Sequence, residues 1–289
     1  AEFKANERTA EALAAAQEMD IEVVHVADAG EDRCTVRQAH PHLRETIYYN
    51  KASGKIIRYK DFFQLHESFL SDYIKRKGKP DLIHVHIPLR SGLIALRWKK
   101  NYGWPFVLTE HYGIYNQQAA DRFGKRNYFF KYFTRRILKQ AEAFYPVSES
   151  LGRDVNDMAV RKAFTPIPNV VDTTLFFPEP TREPLLPFRF VHVSDMTPNK
   201  NVGAILRAFR LLLKTGIQAE LLLIGNDHPT YRKQAEKYGL LNKQVFLLGS
   251  MSYADVAQKV RQAHAGILYS QHETQSCVVL ECLCSGLPV

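Results

Sequence analysis

Glu273 and Glu281 stand either side of seven residues in HETQSCVVLECLCSGLPV, with an apolar run before the second and a Ser-Gly-Leu-Pro turn after it. Two carboxylates so spaced could act as an acid/base pair on one bond or as separate acceptors along a longer ligand. If the whole interval were helical, eight steps of about 1.5 Å would set the Cα atoms about 12 Å apart, with both side chains facing one general direction. Carboxylates that share one glycosidic bond sit about 5–9.5 Å apart. The spacing therefore favours two contacts along an elongated ligand. Ser276 is placed to cap a helix starting at Cys277, which would aim backbone N–H groups at an anion between the carboxylates. A sugar, a phosphate bridge and a ribose present hydroxyls, negative charge and hydroxyls in that order.

Other familiar chemistries lack their residues. There is no GxGxxG after a strand, no Walker phosphate loop and no GxSxG elbow; His272-Glu273 lacks the second histidine of a zinc-protease helix, and no Asp-x-Asp pair is present. His84 and His86 alternate along DLIHVH and so share a face, where they could bind a metal or line a ligand cleft. A structural or cleft-lining role is the expectation, and His86, nearer the C-terminal end of the strand, is the cleft candidate.

These residues need a scaffold, and the chain alternates apolar strands with helical segments. Strands are expected at 21–26, 81–86, 105–110, 143–148, 188–194, 219–225, 244–249 and 265–270. Most are continuous apolar runs, as in strands covered on both faces. Between them lie stretches such as NVGAILRAFRLLLKTG, whose apolar residues recur at three and four and which Gly216 closes. Repeated strand-helix units predict an α/β protein with doubly wound parallel sheets. Six prolines crowd residues 166–187, which predicts a domain at 1–167, a Pro-rich linker at 168–187 and a second domain at 188–289. Both ends read as cut. The chain opens in an amphipathic stretch, EFKANERTAEALAAAQ, with no strand before it, and stops at Val289 on an expected strand, so 1–289 alone is expected to be inactive and poorly cooperative.

Composition narrows the class. At 289 residues, 45% hydrophobic and 24% charged, the chain is of ordinary globular type, which argues against disorder. Cysteines 34, 277, 282 and 284 form no CxxC pair and are expected to be small buried hydrophobes in a reducing compartment. No apolar stretch approaches the roughly 20 residues of a membrane span and no signal peptide is apparent, so a cytoplasmic protein is expected. Residues 1–170 carry 27 lysines and arginines against 20 acids, and residues 171–289 carry 12 against 10. Most of the positive field thus lies in the first half and suits an anionic partner.

The C-terminal stretch resembles the E-x7-E signature of the family 4 glycosyltransferases, retaining enzymes of the GT-B fold. DLIHVH, VLTEHYGIY, AFYPVSESL, PIPNVVDTTLFFP, VHVSDMTPNKNVGAILRAF and LLLIGN fall in that family's order and approximate spacing. The resemblance implies two Rossmann-like domains, a nucleotide-sugar donor bound mainly by the second, and a glycan or lipid-linked acceptor held by the first. It implies that Glu273 contacts the transferred sugar, Glu281 the ribose, Lys200 the donor diphosphate, and His111 the catalytic cleft beside the sugar. No cofactor or metal is expected. Two positions depart from the pattern. Ser194-Asp195 replaces Gly-Arg, removing an arginine from the diphosphate, and Asn169 precedes Val170 rather than glycine, which makes a left-handed backbone there unfavourable.

Residues 122–140, RFGKRNYFFKYFTRRILKQ, interleave aromatic and basic side chains. They predict a core-facing helix with a solvated basic face, or, in the context of lipid-linked acceptors, an interfacial helix on anionic lipid at the inner face of the cell membrane. The expected function is retaining sugar transfer in cell-surface polysaccharide or glycolipid synthesis, with no nucleic-acid partner. A nucleotide-sugar epimerase of the same fold and a non-catalytic basic module for nucleic acid or membrane are the alternatives.

Overall fold

A computed structural model describes residues 10–11, 19–51, 54–179 and 186–289, which fall into two compact units divided between Asn169 and Val170. The amphipathic stretch expected at residues 2–17 lies, apart from Ala10 and Glu11, outside the described residues.

The first unit opens with β1 (Ile21–Asp28), β2 (Arg33–His40) and β3 (Leu43–Asn50). β3 pairs with β1 in parallel and with β2 antiparallel, so the uniformly parallel pattern expected from the sequence is broken by one tight hairpin. Next come α1 (Lys55–Lys77), β4 (Ile83–His86), α2 (Ser91–Tyr102), β5 (Phe106–Glu110), α3 (Tyr128–Gln140), β6 (Phe144–Pro146) and α4 (Glu149–Met158). β4, β5 and β6 form a parallel sheet in that order. All five residues of β5 are buried, which is why this strand carries an unbroken apolar run up to its last two residues. Phe106, Leu108, Ile137, Leu138, Phe144 and Leu151 make the core around it. A Cβ on Gly92 would lie 2.7 Å from Ile137 Cγ2, so glycine is what lets α2 close on α3.

The second unit contains β7 (Phe188–Ser194), α5 (Val202–Leu213), β8 (Ala219–Gly225), α6 (Pro229–Lys237), β9 (Val245–Gly249), α7 (Tyr253–Arg261), β10 (Ala265–Gly266) and α8 (Cys277–Cys284). The sheet is parallel, in the order β10-β7-β8-β9. Along β8 the side chains alternate between two cores. Leu221 and Leu223 pack with Ile205, Leu206 and Phe209 of α5, whereas Leu222 and Ile224 pack with Val256 and Val260 of α7 and Cys282 of α8. Both faces are covered, as a doubly wound sheet requires.

Part of the Pro-rich stretch expected to be a linker belongs to this unit instead. Phe176 is buried against Tyr253 and the α7 core, and Arg261 stacks on Phe177 and pairs with Glu179 at 3.1 Å. Residues 180–185 lie outside the described residues. Residues 267–270, expected to extend β10, and Leu287–Val289, expected to begin a strand, have no strand structure, although Pro288 accepts a backbone hydrogen bond from Gly266 at 2.8 Å. Of the cysteines only Cys282 is fully buried; Cys277 and Cys284 are half-buried and Cys34 is exposed.

Candidate active site

In the second unit the sheet order reverses between β7 and β10, and ligands of such sheets bind beyond the C-terminal strand ends at that reversal. The loops leaving those two strands carry Lys200 and Glu273. After β7, the Asp195 carboxylate accepts from the Thr197 N–H at 3.2 Å and its hydroxyl at 2.9 Å, a tight turn leading to a short 3-10 turn, Pro198–Lys200. Asn201 then takes the left-handed conformation, φ 50°, and α5 begins. Asn199 stitches this loop to the one after β10. Its carbonyl accepts from Gln271 N at 2.8 Å, and its side chain donates to the His272 carbonyl at 3.0 Å and accepts from His272 N at 3.3 Å. Lys200 Nζ lies 2.7 Å from Glu273 Oε1 as a result, with both side chains partly exposed.

Behind them His192 is completely buried; Nδ1 bonds the Ile267 carbonyl at 2.9 Å and Nε2 the Ser194 hydroxyl at 2.7 Å, and burial lowers its pKa. Ser276 caps α8, accepting from Val279 N at 3.4 Å. The helix therefore starts four residues after Glu273, and the 12 Å separation of a wholly helical interval does not apply. At its far end the Ser-Gly-Leu-Pro turn is the C-cap: Gly286 has φ 70°, and Leu287 N donates to the Cys282 carbonyl at 2.9 Å. Glu281 is 3% exposed and accepts from the Tyr253 hydroxyl at 3.0 Å.

The first unit gathers the other candidates at the C-terminal ends of β4 and β5. His86 Nδ1 lies 3.0 Å from His111 Nε2, with the rings stacked at 5.3 Å, and His84 lies on the other side of His86 at 4.3 Å. His84 and His86 thus share a face as their spacing predicts, and His84 Nε2 meets the Thr109 hydroxyl at 2.7 Å. Desolvation pushes His86 down to about 2, helped by its two neighbouring imidazoles, and His111 down to about 4 against an opposing interaction with the Asn169 side chain. Both rings are neutral at pH 7. Among the described residues no group of three or more His, Cys, Asp or Glu is placed to hold a metal ion.

Sequence reasoning missed the residue that shapes this corner. Glu110, 1% exposed, accepts from the backbone N–H groups of His111 and Tyr112, each at 2.9 Å, and from the Tyr115 hydroxyl at 2.9 Å. Three donors satisfy a buried carboxylate that would otherwise be costly, and they fix the turn that carries His111. The one sequence signal is an acid closing a strand that is otherwise apolar but for Thr109. Beside it, Ile87 has φ 66°, a strained value for a β-branched residue, held by a hydrogen bond from its N–H to the Thr109 carbonyl at 2.9 Å.

Two family profiles cover the chain almost end to end: Glycosyltransferase Family 4 matches residues 6–175, and Glycosyl transferases group 1 matches residues 176–289. The chain belongs to glycosyltransferase family 4. Solved structures agree on the fold. Sucrose-phosphate synthase from Thermosynechococcus elongatus superposes with a TM-score of 0.79 at 19% identity, over 98% of this chain and 73% of that one. The catalytic domain of starch synthase IV from Arabidopsis thaliana, bound to ADP and acarbose, gives 0.64 at 12% identity over 93% and 82%. TarM of S. aureus, in complex with fondaparinux, alpha-GlcNAc-glycerol and UDP, gives 0.57 at 16% identity over 69% of this chain and only 39% of its own. No curated protein matches the chain. The protein is a glycosyltransferase of the GT-B fold, as expected, and the alternative of a non-catalytic basic module falls.

The two departures from the family pattern have local consequences in this glycosyltransferase. Asp195, where the family has arginine, spends its carboxylate on the Thr197 turn. Asn169 and Val170 both keep negative φ, and the Asn169 side chain interacts with the His111 imidazole. The aromatic-basic stretch is corrected in detail. Ile137 and Leu138 face the core, but Tyr128 and Phe129 are 74% and 70% exposed, so the apolar residues do not all face inward. Nor is the basic face wholly solvated: Lys131 Nζ donates to the Gly124 carbonyl at 2.6 Å and Arg135 Nε to the Ala159 carbonyl at 2.8 Å. Arg135, Arg136 and Lys139 are all exposed on α3, and of these only Arg135 is tied to a main-chain carbonyl among the described residues. Among the described residues no helix is long and apolar enough to cross a membrane.

Proposed function

We propose that the protein is a retaining enzyme that moves a sugar from a nucleoside-diphosphate donor to an acceptor hydroxyl of a glycan or lipid-linked glycan, in cell-surface polysaccharide or glycolipid synthesis. The observation that carries this reading is the Lys200–Glu273 pair at the strand-order reversal. On donor binding each member would exchange a partner: the diphosphate would take the lysine, and a sugar hydroxyl the glutamate. Lys200 would then stabilise the negative charge that grows as the glycosidic bond breaks, with the capped start of α8 adding its N–H dipoles. Glu281, further along α8, would accept from the ribose. These groups would carry the leaving charge without a metal. His111, neutral at working pH, suits a hydrogen bond to the sugar rather than a charge contact. The UDP and ADP in the TarM and starch synthase structures support a nucleoside-diphosphate donor. The outward aromatic and basic residues of α3 support a peripheral position on the anionic inner face of the cell membrane.

The test is to incubate the chain with a panel of nucleoside-diphosphate sugars and candidate acceptors, with and without a chelator, and read the anomeric coupling of the product by NMR. Transfer with the donor's configuration kept, at a rate the chelator leaves unchanged, is expected. Inverted product, a requirement for added divalent cation, or isomerised donor released without acceptor would each replace this reading.

A further inference from the structure

The surface left unused by this chemistry is a groove in the first unit. α1, α2 and α3 enclose about 860 Å³, floored by half-buried Phe63, Leu93, Leu96 and Phe133. Three exposed cations and no acid line it. Arg97 is paired with Glu67 at 3.1 Å, but Lys100 has no ion pair among the described residues and Arg136 bonds only the neutral Tyr132 hydroxyl, at 3.3 Å. On the α3 side Phe129 lines the groove and, with Tyr128, projects beyond it into solvent.

Each feature restricts the occupant. A groove of this size holds a molecule of small-ligand dimensions. Its apolar floor would desolvate polar groups without repaying them, so the part lying on it must be hydrocarbon. Two uncompensated cations at the rim call for an anion at one end of that hydrocarbon, and phosphate matches both ammonium and guanidinium. An acidic peptide helix would leave Tyr128 and Phe129 uncovered, whereas a bilayer takes projecting aromatic side chains at its polar boundary. We infer that this groove binds one phosphate-bearing lipid, its hydrocarbon chain against Phe63, Leu93, Leu96 and Phe133 and its phosphate on Lys100 and Arg136. This goes beyond the peripheral membrane position proposed above, which requires only an aromatic and basic surface and no defined lipid site.

The experiment is calorimetric titration of the full chain with lysophosphatidate below its micelle concentration, alongside a monoacylglycerol of equal chain length, inorganic phosphate and an acidic amphipathic peptide. One lysophosphatidate per chain is expected, with weaker monoacylglycerol binding and none of phosphate or peptide. Lys100→Gln with Arg136→Gln is expected to weaken lysophosphatidate on the order of 20-fold, about fivefold per cation, and to leave monoacylglycerol unchanged. Leu96→Trp is expected to abolish binding of both lipids without altering nucleoside-diphosphate binding. Because that substitution could disturb packing, a diazirine-tailed lysophosphatidate is also crosslinked to the unsubstituted chain, and its adducts are expected on α1, α2 and α3. Non-saturable binding, equal binding of phosphate, a preference for the peptide, or adducts elsewhere would overturn the site. Vesicle sedimentation reads the membrane position separately: charge-dependent vesicle binding without a single-lipid complex would sink the groove and leave that position standing.

Discussion

Around His111 the first unit withdraws polar groups from water and keeps the imidazoles neutral; around Lys200 the second unit leaves opposite charges partly open and lets them meet directly. In the first, Glu110 is 1% exposed and satisfied by three donors, and His86 and His111 are held far below the ordinary imidazole range. In the second, the side chains of Lys200 and Glu273 are 20% and 26% exposed at 2.7 Å. The difference is one of exchangeability. A buried, fully bonded carboxylate is expensive to disturb and serves as a fixture, whereas a part-solvated ion pair contributes little to stability and can change partners when a ligand arrives.

The strongest way to break this comparison is Glu110→Ala, which strands two backbone N–H groups and the Tyr115 hydroxyl. It should cost about 3–5 kcal/mol in denaturant unfolding, whereas Glu273→Ala should cost less than about 1 kcal/mol. Similar losses would erase the contrast. Glu110→Gln, which keeps an acceptor for both N–H groups, should recover most of the stability.

Acid should act next most strongly. His86 and His111 titrate lower in the folded unit than at the unfolded value of 6.5, so the unfolded chain binds more protons in between. Their stabilising share is complete above pH 6.5 and is lost as pH falls towards about 4 for His111 and about 2 for His86. At pH 5 each should cost about 1–2 kcal/mol, allowing for partial exposure. The check is unfolding at pH 7 and pH 5, with His111→Asn expected to show a smaller drop than the native chain.

Donor affinity sharpens the other side. Lys200→Ala and Glu281→Ala should each weaken nucleoside-diphosphate binding by about 1.5–3 kcal/mol, from roughly tenfold to more than a hundredfold. Glu273→Gln should spare the bare nucleotide and reduce turnover with the nucleotide-sugar. Calorimetry that finds all three equal would reassign the glutamates. Ser276→Ala should cost about 1 kcal/mol through the lost cap, read in thermal unfolding.

Much of the second unit was legible because β8 and β9 are nearly continuous apolar runs that the two-sided core requires, and because Ser276 has the residue type of a helix cap; Glu273 stands out by its spacing to Glu281 and Lys200 by the family resemblance. The hairpin partner β2 was not. RCTVRQAH is largely exposed, so no burial pattern disciplines its composition. Glu110 was illegible for a different reason: an acid beside a histidine reads as a solvated loop residue until the N–H groups that enclose it are placed. The inward ties of Lys131 and Arg135 likewise depend on carbonyls that are distant or irregular in the chain, at Ala159 and Gly124.

Gly225 closes β8 at φ 146°, and a Cβ there would fall 1.7 Å from the Ser194 carbonyl oxygen. Main chain thus rests on main chain at the root of the loop that delivers Lys200. A saturation library at this codon would return a single survivor, since even alanine must push Ser194 and everything after it outward. The neighbouring Asp195, by contrast, is exposed, and replacing it would loosen the Thr197 turn while leaving that root in place. Variation among descendants of this chain is thereby channelled: the pedestal of the lysine is frozen at an atom that is not there, while the side chains around it are left free to retune the grip.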